Sequence, residues 1–204
     1  MDFNFTDDQE QLRDAVRKWV DKGHDFDRHR AIARAGGFSA EQWAELAGLG
    51  LTGLAVPEDH GGMGFGPVDA MVVMEELGRG LVVQPYAAVA LVAARLLAES
   101  GAAEAAQWLQ GIADGSERVV LAHQERAARY RLNHVVTRAE RAGEAWSVSG
   151  AKSVVPAGAH CGAFIVPARV SGADDDAAGI ALFLVTASQA GVKTRPYVQQ
   201  DGSA

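Results

Sequence analysis

Residues 108–123 read WLQGIADGSERVVLAH, and within them the chain changes its period. Trp108, Leu109 and Ile112 fall on one face at helical spacing, while Gly111 and Gly115 mark the fraying end of that helix. Beyond Ser116 the run Val119, Val120, Leu121 and Ala122 is short, apolar and rich in β-branched residues, which predicts a strand. The reading is therefore a helical unit over residues 1–117 and a β-unit over 118–204 that the chain's end could leave incomplete. The expected class is α+β in more than one domain.

Working back from that boundary, helical signals repeat. Thr6 with Gln9 three residues on is a capping-box pattern, followed by Leu12, Ala15, Val16, Trp19 and Val20 at helical spacing. Residues 24–34 are charged and read as a loop or irregular helix. Ser39 with Gln42 repeats the cap ahead of Trp43, Leu46, Ala47 and Leu49, and Gly50 is the natural stop. A short apolar segment, 51–56, ends at Pro57. The glycine-rich PEDHGGMGFGP that follows has neither the Lys-Ser/Thr of a P-loop nor the setting of a dinucleotide fingerprint, so it reads as a structural turn. Pro67 suits the first turn of a helix carrying Met71, Val72, Glu75, Glu76 and Leu77. Residues 85–100 are apolar nearly all round, as in a buried helix, and Gly101 ends them.

Working forward, residues 132–137 and 145–149 flank a hairpin-like turn at 141–144. Further strand candidates are 163–168, 180–185 and 192–196, with an exposed loop over 171–179. That loop holds Asp174, Asp175 and Asp176, but it lacks the spaced ligands and final Glu of an EF-hand, so a solvated turn is the better reading than a calcium site.

Composition narrows the function classes. The chain has 204 residues, 48% hydrophobic and 22% charged, which is ordinary for a globular protein able to bury roughly 70% of its unfolded surface. Nineteen Lys and Arg against 26 Asp and Glu give a net charge of −7, which argues against broad binding to nucleic acid or anionic membrane. The one cysteine, Cys161, cannot make an internal disulfide, and it reads as a structural thiol beside His160. The acidic N-terminus lacks the layout of a signal peptide, and Gln84, Pro85 and Arg95 interrupt the longest apolar stretch. A cytoplasmic protein without a membrane span is expected. Six scattered histidines show no metal spacing, and there is no nucleophile elbow. Glu75 and Glu76 are adjacent, so at most one can face any site. From spacing alone there is no catalytic constellation and no metal site.

The segments in their order carry a resemblance. FTDDQEQLRDAVRKWV (5–20), VPEDHGGMGFG (56–66) with EELGRG (75–80), WLQGIADGSERVVLAH (108–123) and TRAERAGEAWSVSGAKSVVPAGAH (137–160) are together similar to the acyl-CoA dehydrogenase family. The resemblance implies an all-helical N-terminal domain, a middle β-barrel or sandwich-like domain, and a C-terminal four-helix domain absent from this sequence. It implies FAD as cofactor, an acyl-CoA substrate, an electron-transfer flavoprotein or similar acceptor, and a homo- or hetero-oligomer. The implied reaction is α,β-dehydrogenation of the thioester, with the catalytic Glu or Asp lying beyond Ala204. The chain is thus expected to be a portion of a longer product and inactive alone, since a face built to pack helices would otherwise leave a large apolar patch exposed.

Residue by residue, the resemblance places two stretches against the flavin. The first is Leu121, Ala122, His123, Gln124, Glu125 and Arg126, with Gln124 where a Thr-Glu-Pro-like turn has its threonine. The second is Lys152 to Ala157, where the family has a Lys-x-Trp-Ile-Thr/Ser-Asn pattern. Here Val154 replaces the Trp, Val155 follows, and Pro156 replaces the hydroxyl residue, so that side-chain hydrogen bond is lost. Arg129 and Tyr130 are expected near the substrate, with a surface pair between Arg129 and Glu125 as the alternative for the arginine and a packed aromatic as the alternative for the tyrosine. Lys152 reads as a solvated turn residue. Glu125 with Arg129-Tyr130 and Lys-Ser-Val-Val resembles the small subunits of pimeloyl-CoA-type dehydrogenases and heteromeric relatives acting on dicarboxylic or steroid side-chain thioesters. Two further functions stay open: a non-catalytic partner subunit of a heteromeric dehydrogenase, and a flavin-dependent monooxygenase relative.

Overall fold

The computed structural model describes residues 4–204. The first helix, α1 (Asp7–Gly23), starts at the expected capping box: the Thr6 hydroxyl accepts from the Gln9 N–H at 3.3 Å and Gln9 reaches back to the Thr6 N–H at 3.1 Å. Residues 24–34 differ from expectation. Phe26–Arg34 is a regular helix, α2, capped by Asp25. Its charges hid it, because only Ile32 is buried and no apolar period marks the rest. α3 (Ala40–Gly48) is capped by Ser39 as expected, and Gly50 follows it with φ +77°.

The glycine-rich stretch is a structural turn that folds back on 53–56. The N–H groups of Met63, Gly64 and Phe65 donate to the carbonyls of Gly53, Val56 and Leu54 at 2.9 Å each. A Cβ on Gly62 would lie 2.0 Å from the Val56 carbonyl oxygen, so only glycine permits this approach. α4 (Pro67–Arg79) then packs on α1. The expected buried helix over 85–100 is present: the Val89 N–H donates to the Pro85 carbonyl at 3.0 Å, the chain is helical from Tyr86, π-helical over Ala87–Ala93, and continues as α5 (Ala94–Ser100). α6 (Ala105–Ala113) closes the helical half.

The strands are β1 (Val119–Leu121), β2 (Arg138–Ala142), β3 (Ala145–Ser149), β4 (Ala163–Arg169) and β5 (Ile180–Thr186), joined in one mixed sheet. Two strand expectations are corrected. Residues 132–137 form no strand; β2 starts at Arg138 and turns into β3 through Gly143 and Glu144 alone. Residues 192–196 lie outside any ladder.

β4 organises the sheet. β5 runs antiparallel along its whole length, while its other edge takes β1 in parallel at Ala163–Ile165 and touches β2 only at Arg169. Between those two partners the chain makes an excursion, leaving β4 where the Ala122 N–H bonds Ile165 and returning where the Arg169 N–H bonds Thr137. Pro167 lies opposite that gap, so its missing N–H costs no ladder bond. One continuous apolar core joins both halves, from Val16, Trp43 and Leu46 through Val89 and Leu109 to Val119, Phe164 and Ile165.

Candidate functional site

The outer face of the sheet opens into a cavity of about 1270 Å³. The β4–β5 register sets Phe164 opposite Val185 and Val166 opposite Phe183, and these four form its apolar floor. β3 adds Trp146 and Val148, with the Trp146 ring edge-on to Phe183 at 5.4 Å between centroids. One wall is the loop 150–160, and the facing wall is the segment 189–199, a turn at 189–191 followed by chain outside any ladder.

A buried charge cluster holds the first wall in place. Glu125 lies just before the turn at 126–130, and its Oε1 accepts from the Lys152 ammonium at 2.7 Å, the Thr137 hydroxyl at 2.6 Å and the Thr137 N–H at 3.0 Å. Its Oε2 accepts from the Val136 N–H at 2.7 Å. Both members of the ion pair are buried, Lys152 with 9% and Glu125 with 6% of the side chain exposed. Burial alone would push the Glu125 carboxyl up, but the donors from Lys152, Thr137 and Val136 outweigh it and hold the pKa at about 2. The Gln124 carbonyl also accepts from the Ser153 N–H at 2.8 Å. The two stretches expected to face a flavin are therefore tied together at their roots. Gly150 makes room for this, because a Cβ there would lie 2.4 Å from the Thr137 hydroxyl.

Two readings of single residues are corrected here. Lys152 is not a solvated turn residue, and Glu125 does not pair with Arg129. Adjacent sequence suggested the Glu125–Arg129 pair, but the turn aims the carboxylate inward to the donors of 136–137 and 152.

Of the residues expected to hold the cofactor, Val154 and Val155 line the cavity, together with Ala122 and Ser153. Val154 is 43% exposed and sits at φ +52°, a conformation that costs a β-branched residue about 1–3 kcal/mol and persists only where neighbours enforce it. Leu121, His123, Gln124 and Pro156 stand behind or beside the wall without lining it. Arg129 and Tyr130 are not brought to the cavity; both are exposed, Tyr130 fully so at 99%.

The remaining titratable groups are committed elsewhere. Glu76 is buried on α4 and accepts from Arg17 at 2.6 Å and Arg79 at 2.7 Å; the Arg17 hydrogen bond foremost keeps its pKa low. Glu75 faces outward toward Arg13. Cys161 donates to the Ala157 carbonyl at 3.1 Å, and burial pushes the thiol up to about 12, as suits a structural residue. Asp174 pairs with Arg138, Asp175 accepts from Arg131 at 2.8 Å and bonds His134 at 2.7 Å, and Asp176 caps the Ala173 N–H. The acidic loop is thus spent on protein donors. Arg169, which the sequence did not single out, is buried, and its guanidinium reaches the carbonyls of Asn133, Val135, Asp174, Asp176 and Ala178. It pins the excursion and the acidic loop to the end of β4. A lone arginine in an apolar strand is the signal that marks it.

Comparison with known proteins agrees with this architecture. Residues 6–116 match the acyl-CoA dehydrogenase N-terminal domain and residues 121–204 the acyl-CoA dehydrogenase middle domain. The acyl-CoA dehydrogenase FadE12 of Mycobacterium tuberculosis is 31% identical over 199 residues, covering 94% of this chain and 50% of that protein. Among solved structures, the ChsE4-ChsE5 complex from Mycobacterium tuberculosis matches with a TM-score of 0.81 and 28% identity, over 94% of this chain and 50% of that one. A Tcur3481-Tcur3483 steroid ACAD variant matches with a TM-score of 0.76 and 32% identity, over 90% and 49%. The chain spans about half the length of the curated relatives it matches. Among the described residues, no helix is long and apolar enough to cross a membrane.

Proposed function

Because the chain belongs to the acyl-CoA dehydrogenase family, we propose that its sheet face is the wall on which an FAD-dependent acyl-CoA dehydrogenase seats flavin and thioester. The helical unit 1–117 and the sheet unit 118–204 would serve as one rigid support, since a single core runs through both. The observation that carries the reading is the cavity: about 1270 Å³, with an aromatic and aliphatic floor and a wall preset by the Glu125–Lys152 pair.

The residues fit a flavin held mainly by stacking. Phe164, Val166, Phe183 and Trp146 offer apolar contact for a ring system. The Gln124 amide and the Ser153 hydroxyl are beside the wall, and neither side chain is hydrogen-bonded among the described residues, so both are available as donors. Val154 and Pro156 add no side-chain donor. When bound, FAD supplies the acceptor for the hydrogen leaving the β-carbon. The chain's own part is to orient the ring and thioester and to exclude water from the floor. Neither buried carboxylate can remove the α-proton, because Glu76 and Glu125 are both held ionised by cationic partners and do not line the cavity. The base therefore comes from polypeptide other than the described residues, and an electron-transfer flavoprotein or similar acceptor takes the electrons.

The apolar Val154 and Pro156 favour a second reading, a partner subunit that builds one wall of a heteromeric enzyme without catalysing. FAD titration with an acyl-CoA challenge tests both. The dehydrogenase reading expects the chain to quench flavin fluorescence on binding, with no bleaching by acyl-CoA until the missing base is supplied. Absence of flavin binding overturns it in favour of the partner reading. Turnover by this chain alone overturns the assignment of the base.

A further inference from the structure

The cavity is lined by no Asp or Glu, although the chain as a whole carries −7. Four basic side chains line it: Lys152, His160, Lys193 and Arg195. Two of them are not available to a ligand as cations. Lys152 is buried against Glu125 at 2.7 Å. His160 stacks on Phe38 at 4.6 Å, and burial first, then the nearby Arg118, lowers its pKa and so disfavours its charged form. Lys193 and Arg195 are different. Both are exposed on the irregular segment of the facing wall, two residues apart, and among the described residues neither side chain makes an ion pair or a hydrogen bond. In an acidic chain, two unpaired cations on a cavity wall without Asp or Glu side chains concentrate positive potential at one place.

We infer that Lys193 and Arg195 form a phosphate-binding subsite at the cavity mouth, which takes the phosphate or pyrophosphate group of a nucleotide whose flat or acyl portion lies on the apolar floor. This rests on the reading of the cavity proposed above, and it adds a ligand class to the wall that the 152–157 loop faces. Arginine supplies a planar fork of donors for a phosphate and lysine a mobile point charge, so the pair suits an anion bearing more than one oxygen. The same chemistry occurs in the pyrophosphate of FAD and in the phosphates of an acyl-CoA, and the two sources separate experimentally.

The test compares four probes on the whole chain by titration: FAD, riboflavin, coenzyme A and pantetheine. Wild type is expected to bind FAD more tightly than riboflavin, or coenzyme A more tightly than pantetheine, with the preference weakening as salt rises. The double variant Lys193→Gln/Arg195→Gln should lose about tenfold or more for the phosphate-bearing member of that pair, and should leave its phosphate-free partner unchanged. Both positions are exposed, so folding is not at issue. Loss confined to FAD assigns the subsite to the flavin's pyrophosphate; loss confined to coenzyme A assigns it to the thioester's phosphates. Equal affinity for FAD and riboflavin and for coenzyme A and pantetheine overturns the subsite and leaves the flavin-wall reading standing. So does an unchanged preference in the double variant. Failure of wild type to bind any of the four overturns both.

Discussion

Glu76 and Glu125 are both buried carboxylates gripped by cations, yet they sit in opposite kinds of structure. Glu76 lies on α4 among Val72, Val73 and Leu77, in a helix pair that also buries Val16 and Val20. Its partners Arg17 and Arg79 are about half exposed. There the ion pair decorates an interface that apolar packing already makes. Glu125 joins three stretches, 124–125, 136–137 and 150–153, that are irregular chain and share no apolar ladder. There the charge cluster is itself the interface. Helices find each other by burying stripes, whereas loops that must stay open to a cavity are fixed by a few directed polar bonds.

The largest effect expected from this contrast is at Glu125. Glu125→Ala leaves the Lys152 ammonium buried without a partner and should cost about 3–5 kcal/mol in denaturant unfolding. Hydrogen exchange should rise first at the Val136, Thr137 and Ser153 amides. A loss spread evenly through α1 and α4 would contradict the local role.

Acid should separate the regions next. The folded Glu125 pKa of about 2 lies below its ordinary 4.5, so the unfolded chain binds more protons between those values. Its contribution is complete above pH 4.5 and falls away toward pH 2, a loss of about 3 kcal/mol over that window. Lys152→Met should flatten this acid limb, because the principal donor to the carboxylate is gone. A pH profile unaltered by Lys152→Met would remove the ion pair from the account.

The smaller effect belongs to Glu76. Glu76→Ala frees two arginines that turn into water, so the expected cost is about 1–2 kcal/mol with the α1–α4 packing kept. A cost as large as at Glu125 would erase the distinction.

These regions were also unequally legible. The helical half announced itself through Thr6, Ser39 and the stripes of α1 and α3, since capping and period are local in sequence. α2 was hidden because its one buried apolar residue, Ile32, makes no stripe. In the sheet half the hairpin and β4 were readable, but residues 132–137 imitate a strand while serving as the return of a loop pinned by Arg169. Val154 and Val155 could be placed by resemblance; Lys193 and Arg195 could not, because a charge in an irregular segment has no periodicity to say where it points. The Glu125–Lys152 pair spans 27 positions, and nothing local in either residue foretells it.

The claim on which the rest depends is that the outer face of the sheet is a flavin wall. Amide chemical-shift mapping of the isotopically labelled chain during FAD titration tests it most directly. Shifts should gather at Ala122, Ser153, Val154, Val155, Phe164 and Val166, with Leu46 and Val73 in the helical core unmoved. Shifts centred instead on the glycine-rich turn at 61–66 or along α4, with the sheet face silent, would contradict it.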